Sequence, residues 1–261
     1  MRRLVAAALF AALLAADIAP AAADQEQDIG NQVYAQLSQK GEIISRSPLY
    51  SILDPIARRI KRVADPQYSY PFHFILVHES APNAFAVPGG NVYVTDSLMS
   101  FVQNQQELAG VLCHETSHDI HHDVINNMRK DQNLAIGATL LSLLIGKNSD
   151  IVNQAINLLA NVQAQSYSRT VEAAADLKGA DTCAQAGSDP WGMVWLFEKF
   201  SKQDAATMEI LSDHPTDEHR IADLEAHFRQ NPWRFGHFSS HISTATPIAR
   251  VRPGAKPDAS I

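Results

Sequence analysis

The feature that most constrains this chain is an H-E-x-x-H pattern formed by His114, Glu115 and His118, within a stretch of helical periodicity. Residues four apart lie on one face of a helix, about 6 Å apart along its axis, so both imidazoles can bind one metal ion. Glu115 projects about 100° away, where its carboxylate can take a proton from a metal-activated water. The pattern predicts a catalytic metal site. The alternative is a surface helix with scattered histidines, since two more histidines follow closely.

A catalytic zinc ion needs a third protein ligand and an open fourth position. The extended pattern with a third histidine fails, because position 124 is Val. Glu172 and Asp176 offer another solution, since they are four residues apart and face the same way on a predicted helix. Glu172 could bind the metal while Asp176 accepts a hydrogen bond from a ligating histidine. The three alanines between them would allow close helix packing. The alternative is an ordinary exposed acidic pair.

The spacing of apolar residues predicts a mostly helical chain with a few short strands. Two of the strands flank a Pro-Gly-Gly-Asn turn. The predicted strands are Phe72–Val77, Phe85–Val87 and Val92–Val94. The predicted helices are Asp24–Gln39, Ser51–Val63, Gln103–His122, Ile151–Val162, Ser168–Ala186, Trp191–Phe200 and Thr216–Phe228. Many helices with a small antiparallel sheet define an α+β fold.

The two ends of the chain differ in composition from the rest. A basic start, the apolar run 4–16 and a small-residue end at 20–23 form the pattern of a secretory signal peptide. We expect cleavage after Ala23, which leaves a catalytic domain over 24–243. The proline-containing tail 244–261 is expected to be disordered. In the oxidising compartment that export implies, a disulfide between Cys113 and Cys183 is permitted, and the sequence leaves it open.

Composition excludes several classes of function. The net charge of −7 argues against a nucleic-acid-binding surface, and 7% aromatic residues argue against a stacking platform for bases. A mean hydropathy of −0.15 is too polar for a polytopic membrane protein. Cys113 is interpreted as a small buried hydrophobic residue, since a Cys–His nucleophile here would have to share the adjacent His114, which does not face it on a helix.

Two further motifs join the pair above. They are Asn83-Ala-Phe-Ala-Val-Pro-Gly-Gly90 before the metal helix and His214-Pro-x-x-x-x-Arg220 downstream. Together the four motifs, in this order from about residue 51 to 228, resemble the gluzincin family of CAAX prenyl endopeptidases and bacterial periplasmic quality-control proteases. The resemblance implies a zincin-like domain with one Zn²⁺ ion per chain. It assigns His114, His118 and Glu172 to the metal, and general base and acid catalysis to Glu115.

The resemblance also implies roles for other residues. The strand near Asn83, Ala84 and Phe85 would bind an extended peptide by strand addition. His214 would either stabilise the oxyanion or occupy the fourth zinc position in a self-inhibited form; the alternative is a residue at a helix entry. Arg220 would pair with an acid near the site or act structurally. In relatives a further histidine commonly stands where this chain has Asp123, so an additional metal role for its neighbours is not expected.

The implied function is a periplasmic zinc endopeptidase that hydrolyses misfolded or unassembled cell-envelope proteins. Its partners would be extended polypeptides, with peripheral contact to the membrane or to envelope assembly machinery. The alternatives are a chaperone-like binding module with a plugged zinc site and a narrow processing protease with one client. The apolar segment within 134–162 is interpreted as a buried element, with a lid or contact surface as the alternatives.

Overall fold

The computed structural model describes residues 18–131, 167–202, 214 and 218–249. The predicted helix 151–162, the apolar segment 134–145 and the first 17 residues of the predicted signal peptide lie outside these ranges. The predicted α+β class is confirmed. The described helices are α1 (Ile18–Gln39), α2 (Tyr50–Ala64), α3 (Asp96–Phe101), α4 (Gln105–Ile120), α5 (Asp123–Asp131), α6 (Arg169–Gln185), α7 (Trp191–Phe200), α8 (Glu218–Gln230) and α9 (Pro232–Phe235), with 3₁₀ turns at Asp65–Gln67 and Ile242–Thr244.

The three strands form a mixed sheet in the order β1-β3-β2, with β1 at His73–Val77, β2 at Ala84–Val87 and β3 at Asn91–Thr95. The predicted hairpin is present: β2 and β3 are antiparallel, and Gly89 and Gly90 take φ values of 96° and 90° in the turn. The prediction of an antiparallel sheet is wrong for β1, which pairs in parallel with β3. The chain reverses twice between these two strands, so they run in the same direction.

Helix α4 is the centre of the molecule. All its residues from Glu107 to Asp119 are buried, although its sequence has no strongly apolar face. Helices α2, α6 and α7 and strand β2 pack around it. The Asn104 side chain caps its first turn by accepting a 2.8 Å hydrogen bond from the Glu107 N–H, and the Glu107 carboxylate accepts a 2.8 Å bond from the Gln103 N–H. The H-E-x-x-H residues therefore lie on a fixed, dry helix.

Helix α6 lies close to the backbone of α4 at Gly179. A Cβ atom there would lie 3.1 Å from the His114 amide nitrogen, which is tighter than ordinary van der Waals contact, so a larger residue would require a small shift of the backbone. Among the three alanines predicted to allow this approach, only Ala175 is fully buried and Ala174 is exposed. A disulfide also joins the two helices: Cys113 and Cys183 are bonded, with their Cα atoms 5.9 Å apart. Cys113 is therefore a cystine partner rather than a free hydrophobic residue.

Two hydrophobic clusters lie on opposite faces of the sheet. The larger packs against α2, α4 and α7. The smaller is formed by α1, α5 and the other sheet face, with Ile29, Val33 and Leu37 of α1 buried in it. Within the described residues, no helix combines the length and hydrophobicity needed to cross a membrane.

Residues 244–249 differ from the predicted disordered tail. Pro247 forms a bridge with Asn104, the Ile248 N–H donates a 3.0 Å hydrogen bond to the Gln103 carbonyl, and the Ile248 side chain packs on the larger cluster. The segment thus lies against the entry to α4, and the ordered chain extends past the predicted boundary. The sequence could not show this because the six residues carry no periodic pattern.

Removal of the disulfide should destabilise the protein. The bond closes a loop with a sequence separation of 70 residues, for which the chain-entropy relation gives about 4 kcal/mol. We expect the double variant Cys113→Ala/Cys183→Ala to lose an unfolding free energy of this order in urea titrations. Dithiothreitol should destabilise the native protein by a similar amount and leave the double variant unaffected. Equal midpoints for the two proteins would contradict the pairing.

Candidate metal centre

Four buried side chains from three parts of the chain converge at the middle of α4. Potential ligand atoms of His114, His118, Glu172 and His214 all lie within 4.8 Å of one another. The Nε2 atoms of His114 and His118 are 3.1 Å apart, and each is 3.6 Å from a carboxylate oxygen of Glu172. The structure therefore brings together the two motifs on α4 and α6 that the sequence places 54 residues apart.

His214 completes this group. Its Nδ1 atom lies 3.3 Å from His114 Nε2 and 2.9 Å from Glu172 Oε1. Its other ring nitrogen, Nε2, lies 3.6 Å from Glu115 Oε1. The ring is buried, and it lies as close to the three predicted ligands as they lie to one another.

Each histidine of α4 has a carboxylate behind it. Asp176 Oδ1 lies 2.9 Å from His114 Nδ1, as predicted for Asp176, and Asp123 Oδ2 lies 2.8 Å from His118 Nδ1. His118 Nδ1 is hydrogen-bonded to Asp123, and the closeness of Asp176 to His114 Nδ1 likewise favours the tautomer in which Nδ1 carries the proton and Nε2 presents its lone pair. The sequence analysis missed the role of Asp123, the first residue of α5 after the turn at His122, whose φ of 56° brings the chain back.

Two lone pairs that face each other at 3.1 Å repel unless a cation lies between them. The donors are imidazole nitrogens and one carboxylate oxygen, which is a ligand set that suits a divalent transition metal ion. Burial, together with the nearby His114, His214 and Arg220, lowers the pKa of His118 well below its usual value, so its imidazole stays neutral. The residues present therefore fit a metal ion.

Arg220 lies behind both carboxylates of α6. Its Nε and Nη2 donate 2.7 Å hydrogen bonds to the two oxygens of Asp176, and its Nη1 lies 2.8 Å from Glu172 Oε2. Burial by itself would raise the pKa of both carboxyls. The hydrogen bond from His214 and the charges of His214, His114 and Arg220 lower the pKa of Glu172. The hydrogen bonds and charges of Arg220 and His114 lower the pKa of Asp176. Both carboxylates thus stay charged, and Arg220 is the cation that pairs with them at the site.

Glu115 lies next to the ligands. Its Oε2 accepts a 3.1 Å hydrogen bond from the Ala86 N–H of β2, whereas its Oε1 has no hydrogen-bond partner among the described residues. Burial raises the pKa of this carboxyl, although His214 and His114 oppose the effect. A carboxyl with one anchored oxygen and a raised pKa is suited to take up and release a proton.

The edge of β2 differs from the prediction in detail. Asn83 pairs with Thr95 of β3, so by alternation the main-chain groups of Phe85 also point towards β3. Ala84 and Ala86 are the residues whose main chain faces the outer edge. All four residues of β2 are buried. The outward groups left for an added strand are therefore the N–H and carbonyl of Ala84 and the carbonyl of Ala86, because the Ala86 N–H donates to Glu115.

Tyr167 is a residue of the site that sequence reasoning missed. Its ring stacks on His118 at 4.3 Å between centroids and lies 5.5 Å from the His214 ring. Burial raises the pKa of its hydroxyl well above the usual value, so it remains neutral. Its position one residue before the α6 N-cap, Ser168, is the only sequence feature that ties it to this helix.

The site is that of a metal-dependent peptidase with two histidines on one helix and a glutamate from a second. The family model of peptidase family M48 matches residues 48–227, and the chain belongs to this family. It is 29% identical over 253 residues to the beta-barrel assembly-enhancing protease of Escherichia coli K12, covering 85% of this chain and 52% of that protein. The corresponding protease of Yersinia pestis is 30% identical over 216 residues, which is 77% of this chain and 43% of that protein.

A eukaryotic relative shares the same region. The mitochondrial metalloendopeptidase OMA1 of Saccharomyces cerevisiae is 27% identical over 221 residues, covering 76% of this chain and 62% of that protein. The chain thus spans about half the length of the bacterial relatives described. The match to peptidase family M48 confirms the resemblance noted in the sequence.

The aspartate behind His114 should matter for metal affinity. We expect Asp176→Asn to weaken metal binding about 10- to 100-fold, because the amide does not hold the Nδ1 proton as a carboxylate does. Asp181→Asn is a matched control on the same helix, where Asp181 pairs with His227 at 3.0 Å, away from the metal site. Competition with a fluorescent chelator measures both affinities. Equal loss in the two variants would contradict this role.

The metal-free protein should lose stability in alkaline solution. Although burial lowers it, the carboxylates of Glu115 and Glu172 raise the pKa of His214 from 6.5 to about 9. A folded-state pKa above the unfolded one stabilises the fold below pH 6.5, and this contribution is lost as the pH rises through about 9. In a chelator, the stability advantage of the native protein over His214→Gln should shrink across this range. A constant difference would contradict the interpretation.

Proposed function

We propose that this protein is a zinc-dependent endopeptidase that cleaves extended segments of unfolded or unassembled proteins. The observation that carries the proposal is the convergence of His114, His118 and Glu172 with the carboxylate of Glu115 beside them. These three residues would hold one Zn²⁺ ion per chain. When bound, zinc supplies Lewis-acid chemistry, which polarises a carbonyl and makes water acidic. A purely structural zinc site would not require Glu115.

Glu115 moves the proton in this proposal. Its free Oε1 would take a proton from the attacking water and deliver it to the amine that leaves, while Oε2 stays anchored to β2. The raised pKa of the buried carboxyl brings it closer to neutral pH, where transfer in both directions is efficient. Asp176, Asp123 and Arg220 act as positioning residues, since they hold the imidazoles and Glu172 in place.

His214 closes the site in the arrangement seen here. Its Nδ1 atom stands within 3.3 Å of His114 Nε2, at the position a fourth ligand would take. Four protein ligands leave no open position for water or substrate, which is typical of a non-catalytic site. We therefore assign this arrangement to a resting form. His214 must move before a substrate enters, and it could then face the oxyanion.

The substrate would lie along β2. Strand addition to the main-chain groups of Ala84 and to the carbonyl of Ala86 gives affinity without strong sequence selectivity, while the Ala86 N–H stays bonded to Glu115. This favours unfolded segments over folded domains. Asn83 and Phe85, the neighbours predicted to bind substrate, would support the strand from its β3 side. Because β2 is buried throughout, the site has to open at this edge as well.

The cellular setting follows from the amino terminus and the relatives. The signal-peptide pattern over 1–23 supports export to the periplasm, followed by a domain over 24–243. The bacterial relatives are named for enhancing beta-barrel assembly. We propose that this chain likewise acts on envelope proteins, with peripheral contact to their assembly machinery or membrane.

A second candidate is a chaperone-like module whose site stays plugged. The position of His214 among the ligands favours it, since a permanently closed site would bind chains without cleaving them. A narrow processing protease with one client is a further alternative. Trapping experiments with the inactive Glu115→Gln protein in envelope extracts distinguish the two proteases. A general protease would capture many proteins, and a processing protease would capture one.

Glu115→Gln should abolish proteolysis and preserve metal binding. The amide cannot accept the proton, whereas the three ligands are unchanged, so we expect the rate of casein digestion to fall at least 1,000-fold, the order of a lost general base and nucleophile activation. Glu225→Gln on α8 is the control, because this partly exposed carboxylate pairs with Arg229 and not with the metal site. A chelator should stop casein digestion by the native protein, and added zinc should restore it. Undiminished digestion by the metal-loaded Glu115→Gln protein would rule out the assigned base.

His214→Ala separates the two roles of this residue. If the imidazole plugs the site, its removal should increase the rate of cleavage of a short quenched peptide several-fold. If it stabilises the oxyanion instead, the rate constant for turnover should fall by about 100-fold. We expect the increase, because the ring lies 2.9 Å from Glu172 in the ligand position. A steady-state assay with equal zinc occupancy distinguishes the outcomes.

A further inference from the structure

A groove of about 520 Å³ lies between α1 and α2, on the side of the sheet opposite to β2 and the metal centre. The first half of β1, residues His73 to Ile75, forms its floor. Asn31 and Tyr34 of α1 line one wall, and Arg58 and Lys61 of α2 line the other. Strand β1 is an edge strand, so one row of its main-chain groups faces this groove.

The direction of these groups follows from the pairing with β3. The His73 N–H donates a 2.7 Å hydrogen bond to the Gly90 carbonyl, so residues 73, 75 and 77 bond to β3. By alternation, the main-chain groups of Phe72, Phe74 and Leu76 face outward. The main-chain groups of these three residues differ in their hydrogen-bond partners.

The two outer positions are occupied by the chain itself. The Leu76 N–H donates a 3.0 Å hydrogen bond to the Tyr50 hydroxyl, and its carbonyl accepts a 2.9 Å bond from the Ile44 N–H. The Phe72 carbonyl accepts a hydrogen bond from the Lys61 ammonium group, and its N–H donates to the Asp65 carboxylate.

The middle position is open. Neither the N–H nor the carbonyl of Phe74 has a hydrogen-bond partner among the residues that the structure describes. Both groups belong to the strand floor of the groove, and the residue is only partly buried. In an antiparallel pair, one residue of an added strand donates its N–H to the carbonyl and accepts from the N–H of the residue opposite. Phe74 offers both of these groups.

The chain demonstrates that this edge accepts an antiparallel strand. Ile43 bridges Val77 in antiparallel orientation, and the His78 N–H donates a 2.8 Å bond to the Glu42 carbonyl. This pairing ends at Ile44, because the chain then turns away towards α2. The edge at Phe74 continues the same strand line, and no described residue pairs with it there.

The charge of the groove indicates what kind of segment fits. Lys61 is paired with Asp65 at 3.6 Å, whereas the exposed Arg58 extends the basic run of α2. Asp54 is the one acid among the residues that line this groove in the described structure. By formal charge, Arg58 and Lys61 outnumber Asp54 in the lining, and Arg58 is the exposed one of the two cations, which on a chain with a net charge of −7 favours an acidic partner over a basic one.

We propose that this groove, defined by Phe74, Arg58 and Asn31, is a second peptide-binding site, which holds a short extended acidic segment antiparallel to β1. Both main-chain groups of Phe74 pair with one residue of the segment, and Arg58 contacts its acidic side chain. The binding itself does not depend on the proposed function. If the protein cleaves unfolded chains, the groove holds them at a distance from the cleavage site.

The test uses a fluorescent, end-blocked hexapeptide of alternating valine and glutamate and the metal-loaded Glu115→Gln protein, which does not cleave it. Phe74→Pro removes the N–H at an edge position that tolerates proline, and Phe74→Leu is its control. Arg58→Glu reverses the groove charge. Arg62→Glu is its matched control, because Arg62 is exposed on the same helix but outside the groove. Fluorescence anisotropy gives the Kd values.

We expect Phe74→Pro and Arg58→Glu each to raise the Kd about tenfold, the effect of losing one or two hydrogen bonds or a charged contact, with both controls unchanged. A peptide N-methylated at its glutamates should bind as weakly, because the residue that pairs with Phe74 is one whose acidic side chain reaches Arg58. Equal weakening by Arg62→Glu, or undiminished binding of the N-methylated peptide, would overturn the proposal. Cleavage of a short neutral peptide by the same variants in the Glu115 background reports on the metal site alone, so a failure here leaves the proposed function intact.

Discussion

The contact between α4 and α6 is the constraint on which the rest of the structure depends. One helix supplies His114 and His118, and the other supplies Glu172. Their approach is set where Gly179 lies against the backbone of α4, and a disulfide joins the helices at the residue before His114. A shift of 1 Å between the helices would move the carboxylate relative to both imidazoles. The cap of α4, its burial from Glu107 to Asp119 and the covalent link together oppose such a shift.

The charged side chains around the site pair with one another in sequence, from Arg220 through the carboxylates to the imidazoles. Arg220 balances Glu172 and Asp176, while Asp176 and Asp123 orient the two imidazoles, so each buried charge has a partner of opposite sign or a ligating role. Glu115 Oε1 is a buried oxygen without a hydrogen bond among the described residues, and it faces the ring of His214. This open acceptor lies where the proposed proton transfer would take place.

Much of this centre could be predicted because the spacing of residues along a helix determines which side chains point to the same face. The i, i+4 pairs on α4 and α6 and the glycine turn before β3 follow from local sequence alone. Three features could not be predicted in that way. The parallel pairing of β1 depends on how the chain returns, the role of Asp123 depends on a left-handed turn at His122, and Tyr167 reaches His118 only through tertiary packing. Close helix approach was attributed to alanines, but it occurs at Gly179.

The most direct test of the central claim is the X-ray absorption spectrum of the purified protein at the zinc edge. The account predicts one zinc per chain, with a first shell of nitrogen and oxygen and the multiple-scattering pattern of two or three imidazoles. It predicts no sulfur shell, because Cys113 and Cys183 are bonded to each other. A sulfur-containing shell, or zinc without imidazole scattering, would contradict the assignment of His114, His118 and Glu172 as the metal ligands.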